Sequence, residues 1–147
     1  MRLASDRARR AWFDDAGVAA VEFALILPVL WTLIMAILDW SYYFYLCETA
    51  VNAAREGARV GVIQSTEALA ESEAETTATN YLAGGGITVG EGVNQATVDA
   101  TQPSTGSPNM TVTVAIPTFT SLTGFLAPPL IPTGMSYAST MRWEMVP

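Results

Sequence analysis

An apolar run from Val18 to Leu38 constrains this chain more than any other feature. As an α-helix it would rise about 1.5 Å per residue, so its length of roughly 31 Å matches a hydrocarbon core of about 30 Å. Its one ionisable residue is Glu22, and a carboxylate in lipid is costly. The run predicts a transmembrane helix over residues 18–38, and Glu22 is a functional candidate because some interaction must offset that cost.

The charges that flank the run predict its orientation. No basic residue occurs between Val60 and Met141, whereas four arginines precede the run: Arg2, Arg7, Arg9 and Arg10. Because flanking positive charge stays in the cytoplasm, residues 1–17 are predicted to be a cytoplasmic leader and the C-terminal part to lie outside the cytoplasmic (inner) membrane. A secretory signal peptide fits poorly, because the run exceeds the usual apolar length of about 7–15 residues and no small-x-small cleavage site follows.

The helix is expected to continue beyond the membrane. After the span there is no glycine until Gly57 and no proline until Pro103, so residues 39–63 are predicted as an outer continuation of the same helix. Within the span, Pro28 removes a backbone donor and predicts a bend. Residues 64–147 form the predicted extracytoplasmic domain, which is long enough for one modest core.

One face of the outer continuation carries only small residues. Within about 140° of one another, at 100° per residue, lie Ala50, Ala53, Ala54, Gly57, Ala58 and Gly61. Small side chains let another backbone approach closely, so this small-residue strip is predicted to pack tightly. Its partner is either the remainder of the same chain or another subunit.

The remaining pattern favours an α+β fold. A second, short helix is expected from an N-cap at Ser65 or Thr66 to about Leu82, where Gly84–Gly86 follow. Alternation over residues 95–101, 110–116 and 135–143 predicts a small antiparallel sheet of about three strands, packed on the outer half of the long helix. The connection 122–131 (LTGFLAPPLI), here called the apolar loop, either packs over the core or docks against a partner or the membrane.

The composition argues against several classes of function. The chain has no histidine and no lysine, which removes the usual nucleophile–base systems and common zinc ligands. Its net charge of −7 argues against nucleic-acid binding. We therefore expect that the protein is not an enzyme and that it has no cofactor and no metal site. The stripe Glu67, Glu71 and Glu75 either binds a cation or faces solvent, and Cys47, the only cysteine, forms an intermolecular bridge, carries lipid or packs as a small apolar residue.

Two segments together resemble a known family. GVAAVEFALILPVL, beginning at Gly17, and ETAVNAAREGARVG, beginning at Glu48, closely resemble the TadE-like family, the minor pilin-like proteins (pseudopilins) of tight-adherence (Tad) pili. The resemblance extends from Gly17 to about Gly61, and ASTMRWE at residues 138–144 resembles the end of such proteins more weakly. Gly17 followed by Glu22 also resembles a class III, type IV pilin-like leader.

The resemblance implies a processed subunit of a pilus. A prepilin peptidase would cut between Gly17 and Val18, and the product would act in pilus assembly or priming for adhesion and biofilm formation. Its implied partners are other Tad pilus subunits, the inner-membrane assembly platform and membrane lipid. The new ammonium group of Val18 would lie one helical turn from Glu22 and could pair with it, or Glu22 could pair with the ammonium of a neighbouring subunit.

Two other interpretations stay open at this point. One is an uncleaved, single-pass scaffold of the envelope, and the other is a tethered envelope domain that binds a ligand through its acidic face. The sequence also leaves open whether the product enters the filament or stays at its base.

Overall fold

A computed structural model describes residues 3–64, 66–102 and 108–142, without the side chains of residues 3–16, 67 and 68. Its elements are α1 Leu3–Gly61, α2 Glu67–Gly84, β1 Thr97–Thr101, β2 Asn109–Ile116 and β3 Met135–Arg142. They confirm the predicted α+β class with one long helix, one short helix and three antiparallel strands. Ser65, residues 103–107, which connect the first two predicted strands, and the residues from Trp143 onward lie outside the described residues.

Helix α1 is one continuous rod of 59 residues, about 88 Å long at 1.5 Å per residue. It begins at Leu3, upstream of the predicted span, and ends at Gly61, close to the predicted end at Ile63. Pro28 lies inside the helix without ending it, and the bend expected there stays a prediction. Three residues beyond Val29, the Thr32 hydroxyl donates to the Val29 carbonyl at 2.8 Å.

Helix α2 is bounded by the residues that the sequence indicates. Thr66 is the N-cap, with extended backbone (φ −137°, ψ 150°). The helix ends at Gly84, two residues after the expected end at Leu82, and Gly86 then adopts a positive φ of 71°. The Ile87 amide donates to the Leu82 carbonyl at 2.9 Å. The turn that stops the helix thus depends on the left-handed conformation of Gly86, which glycine adopts at little cost.

The strands form a sheet in the order β1-β2-β3. Val114 of β2 pairs with Val98 of β1 and with Tyr137 of β3. Because side chains alternate across a strand, one face of the sheet is apolar and buried, through Ala100, Met110, Val112, Val114, Ile116 and Met135. This face packs against α1 and α2, so the sheet and both helices share one core.

The small-residue strip of α1 is buried in that core. All its alanines are at most 1% exposed, and they share one core with the α2 alanines Ala70, Ala74 and Ala78, which are fully buried. A Cβ atom at Gly57 would lie 2.8 Å from the Ala74 carbonyl oxygen and 3.1 Å from the Ala78 Cβ. At Gly61 it would lie 3.1 Å from the Ala74 Cβ. The strip therefore packs within its own chain, and the closeness of the two helices requires glycine at these positions.

We expect Gly57→Ala to destabilise the domain, because the added methyl group meets a backbone carbonyl that cannot move without shifting α2. Overpacking of this kind costs about 1–3 kcal/mol. Gly84→Ala is the matched control, since a Cβ there meets no atom within 4 Å, and it should be neutral or slightly stabilising. Thermal unfolding of the full chain in detergent measures both changes, and equal melting temperatures for the two variants would contradict the close helix contact.

Candidate functional site

The inner half of α1 is the most unusual surface of the molecule. Residues 17–34, here called the uncovered segment, are all exposed, and they include large apolar side chains such as Phe23, Leu25 and Trp31. The most apolar 18-residue window of this helix has a mean hydropathy of 2.4 and is 0% buried by the remainder of the protein. By length and composition the helix can cross a membrane. Lipid or other subunits must cover a surface of this kind in water.

Gly17, Val18 and Glu22 lie at the start of the uncovered segment, on the continuous helix. A Cβ atom at Gly17 would meet no atom within 4 Å, so packing within the molecule does not require glycine there, in contrast to Gly57. Glu22 is exposed, and within the described part of the chain it has no hydrogen bond or ion pair. Val18 and Glu22 are four residues apart, which places them one turn apart on the same side of the helix.

Asp39, the first residue after the predicted span, is fully buried and carries a site that the sequence analysis missed. Its Oδ1 atom accepts the backbone amide of Thr123 at 2.7 Å, while Oδ2 accepts the Thr123 hydroxyl at 2.8 Å and the Leu126 amide at 3.0 Å. A buried carboxylate needs such donors to replace water. Asp39 thereby fastens the apolar loop to α1 directly after the predicted span, a short distance beyond the uncovered segment.

The signal for this site was present in the sequence but incomplete. An acidic residue directly after an apolar span, with no basic residue nearby, needs donors from elsewhere in the chain. Nothing in the sequence shows that backbone amides 84 and 87 positions later supply them. The sequence pattern therefore identifies Asp39 only as the first residue after the apolar run.

Aromatic side chains next to Asp39 strengthen this junction. The Phe119 ring lies 5.3 Å from that of Tyr43 and 6.0 Å from that of Tyr42, between centroids. Phe44 and Tyr45 stay largely exposed. The aromatic residues that follow Asp39 thus divide into two groups: Tyr42 and Tyr43 contact Phe119, and Phe44 and Tyr45 face outward.

Cys47 is a packed core residue in this structure. It is 8% exposed, and its thiol lies 3.5 Å from the Met135 sulfur. The Cys47 thiol beside Tyr137, together with burial, raises the pKa of Tyr137 to about 12. This burial favours the packing interpretation of Cys47 over a lipid anchor or an intermolecular bridge, both of which need an accessible thiol.

The acidic stripe on α2 contacts the edge of the sheet. Glu75 Oε1 accepts the Ala100 amide at 3.4 Å, and Glu71 Oε1 accepts the Gln102 amide at 3.3 Å. The side chain of Glu67 is outside the described residues. Strand β1 is an edge strand, whose outward amides would otherwise invite another strand. Two of the three carboxylates therefore satisfy backbone donors, a role that neither the cation-site nor the solvated-face interpretation included.

A pocket of about 210 Å³ lies beside the apolar loop. It is lined mainly by apolar residues, among them Phe119, Leu126, Pro128 and Ile131, and none of its lining residues has an ionisable side chain. Among the described residues no group of three or more histidine, cysteine, aspartate or glutamate side chains could hold a metal ion.

We expect Asp39→Asn to loosen the apolar loop, because an amide nitrogen in the position of Oδ2 would face the Leu126 N–H instead of accepting from it. An unsatisfied buried donor costs on the order of 1–3 kcal/mol. Asp99→Asn is the control, because Asp99 is exposed on β1. Limited proteolysis of the full chain should cut Asp39→Asn faster within residues 122–131. Cleavage rates equal to those of Asp99→Asn would show that the hydrogen bonds to Asp39 do not hold the loop.

Comparison with known proteins finds a similarity within helix α1 and none in the rest of the domain. Searches of curated proteins and of solved structures gave no match. The family described as TadE-like protein matches residues 17–59, which lie entirely within α1. The match begins at Gly17 and includes residues 17–34, Asp39 and most of the small-residue strip. Over residues 17–59 the chain is thus similar to the TadE-like family, in agreement with the resemblance in the sequence.

Proposed function

We propose that this chain is a minor pilin-like subunit of a Tad pilus, cut by a prepilin peptidase and acting in pilus assembly or priming for adhesion. The observation that carries the proposal is an apolar helix with no cover over residues 17–34, attached to a folded domain, in a chain with a TadE-like match. Before assembly, lipid covers this segment; after assembly, the helices of other subunits cover it. The same surface thus serves as anchor and as packing element.

The proposed topology follows from the distribution of charge. Arginines precede the span, and the domain contains no basic residue from Gly61 to Met141. The leader stays in the cytoplasm and the α+β domain lies outside the inner membrane. The exposed apolar length of the helix supports a single pass through that membrane.

The space around Gly17 supports cleavage after this residue. Glycine in a helix costs about 1 kcal/mol relative to alanine, and no neighbour within 4 Å requires it at position 17. A peptidase, however, must admit the backbone closely and must locally unwind a helix that continues upstream to Leu3. Glycine favours both steps, so its presence is explained by an external partner.

Cleavage changes the electrostatics of the helix end. Removal of residues 1–17 creates an ammonium group at Val18 and removes the arginines that hold the N-terminus at the cytoplasmic surface. Glu22 then pairs with this ammonium group or with that of an adjacent subunit. An unpaired carboxylate in lipid is costly, so pairing favours one axial register between subunits.

We propose a non-enzymatic role for the domain. The only pocket described above has no ionisable side chain in its lining, and two of the acidic side chains on α2 bond to the sheet edge. The domain instead supplies a rigid body that the helix carries into the assembly.

The test compares Gly17→Leu and Glu22→Gln in a strain with the matching peptidase and pilus components. We expect the wild-type product to begin at Val18, Gly17→Leu to stay uncut, and Glu22→Gln to be cut and inserted but lost from complexes with other pilus components. Glu91→Gln, an exposed acid on the domain, should behave as wild type. Intact-protein mass spectrometry and co-purification give the two readouts.

Two results would contradict the proposal. A wild-type product that still begins at Met1 would favour the uncleaved scaffold. Normal assembly of Glu22→Gln would show that charge pairing does not set the register.

A further inference from the structure

The apolar loop presents large apolar side chains outward. Leu122 is 62% exposed, Phe125 49% and Leu130 65%, while Leu126 and Ile131 of the same loop are buried in the core. No charged residue occurs from Ala100 to Met141. The loop therefore carries no charge and has an apolar outer surface, and its buried residues attach it to the domain.

The position of this loop along α1 is fixed by hydrogen bonds. Thr123 and Leu126, which flank Phe125, both donate backbone amides to Asp39. The Ser121 hydroxyl also donates to the Leu126 carbonyl at 2.9 Å, which closes the loop on itself. Asp39 directly follows the span predicted for residues 18–38. Phe125 thus lies within the short segment that Asp39 holds, at the end of the predicted span.

We propose that the apolar loop inserts into the outer leaflet of the membrane that α1 spans, with Leu122, Phe125 and Leu130 at the boundary between headgroups and acyl chains. The inference rests on the proposed span. Lipid is the occupant because the loop is continuous with the end of the span, and because peripheral apolar segments bury about 5–10 Å into this boundary. Because the loop has no charged residue, its insertion into the membrane does not require the desolvation of a charged side chain.

This second attachment would orient the domain. A single helix lets its domain rotate and tilt above the bilayer, whereas a helix and an inserted loop bonded to that helix would hold the domain in one orientation. Because the loop lacks basic residues, its insertion should depend on apolar contact and be independent of anionic lipid. Extraction of the subunit during assembly then exposes the loop as well as the uncovered segment.

The test places an environment-sensitive nitrobenzoxadiazole (NBD) label at single cysteines in the full chain carrying Cys47→Ala, reconstituted in phosphatidylcholine nanodiscs. The three sites are Phe125→Cys, Val29→Cys within the uncovered segment, and Ile63→Cys. Ile63 is also exposed and apolar, but it lies beyond the far end of α1, more than about 33 Å from Asp39 along the helix. Quenching by aqueous iodide and by a spin-labelled lipid is measured at each site.

We expect the label at position 125 to be quenched by the lipid probe and several-fold less by iodide than the label at position 63. Adding anionic lipid should leave this difference unchanged. If position 29 is in lipid while position 125 is as open to iodide as position 63, the loop proposal is wrong and the span stands. If position 29 is also open to iodide, the span itself is wrong. Protection at position 125 that disappears on dilution of the nanodiscs, without quenching by lipid, would assign the loop to a second copy and overturn the proposal.

Discussion

The close contact between the small-residue strip of α1 and the alanines of α2 determines the arrangement of this molecule. Backbones approach so closely at Gly57 and Gly61 that a single methyl group would meet a carbonyl oxygen or a neighbouring Cβ. The domain is thereby fixed on the outer half of a 59-residue helix. Because all of the described folded elements pack on that half, the inner half is left without cover, and its apolar surface needs lipid or other subunits.

Asp39 marks the boundary between these two halves. It is the buried carboxylate that joins α1 to a loop more than 80 residues later in the chain. The domain therefore contacts α1 as far as Asp39, close to the uncovered segment, and it is held there by hydrogen bonds. A carboxylate fits this place because it accepts three donors within a small volume.

Sequence patterns predicted those features that arise from local or periodic constraints. The apolar run is continuous, and the small-residue strip and the three alternating strands repeat a residue type at a regular spacing; the structure has a helix or a strand at each of these positions. The tether from Asp39 and the contacts of Glu71 and Glu75 with the β1 edge could not be predicted in this way. They join side chains to backbone amides that are distant in sequence. Because every residue except proline has such an amide, the residue type does not show which one is bound. The sequence left two alternatives for the apolar loop, and the structure has features of both: Leu126 packs in the core, whereas the adjacent Phe125 is exposed.

The proposed topology, in which the uncovered segment crosses the membrane with the α+β domain outside, can be tested by cysteine labelling. Single cysteines in the Cys47→Ala background, at Ser5 in the leader and at the exposed Ser136 on β3, are treated with a membrane-impermeant maleimide on spheroplasts that lack the peptidase. We expect Ser136→Cys to be labelled in intact spheroplasts and Ser5→Cys to be labelled only after lysis. Labelling of both sites only after lysis, or the reverse pattern, would contradict it.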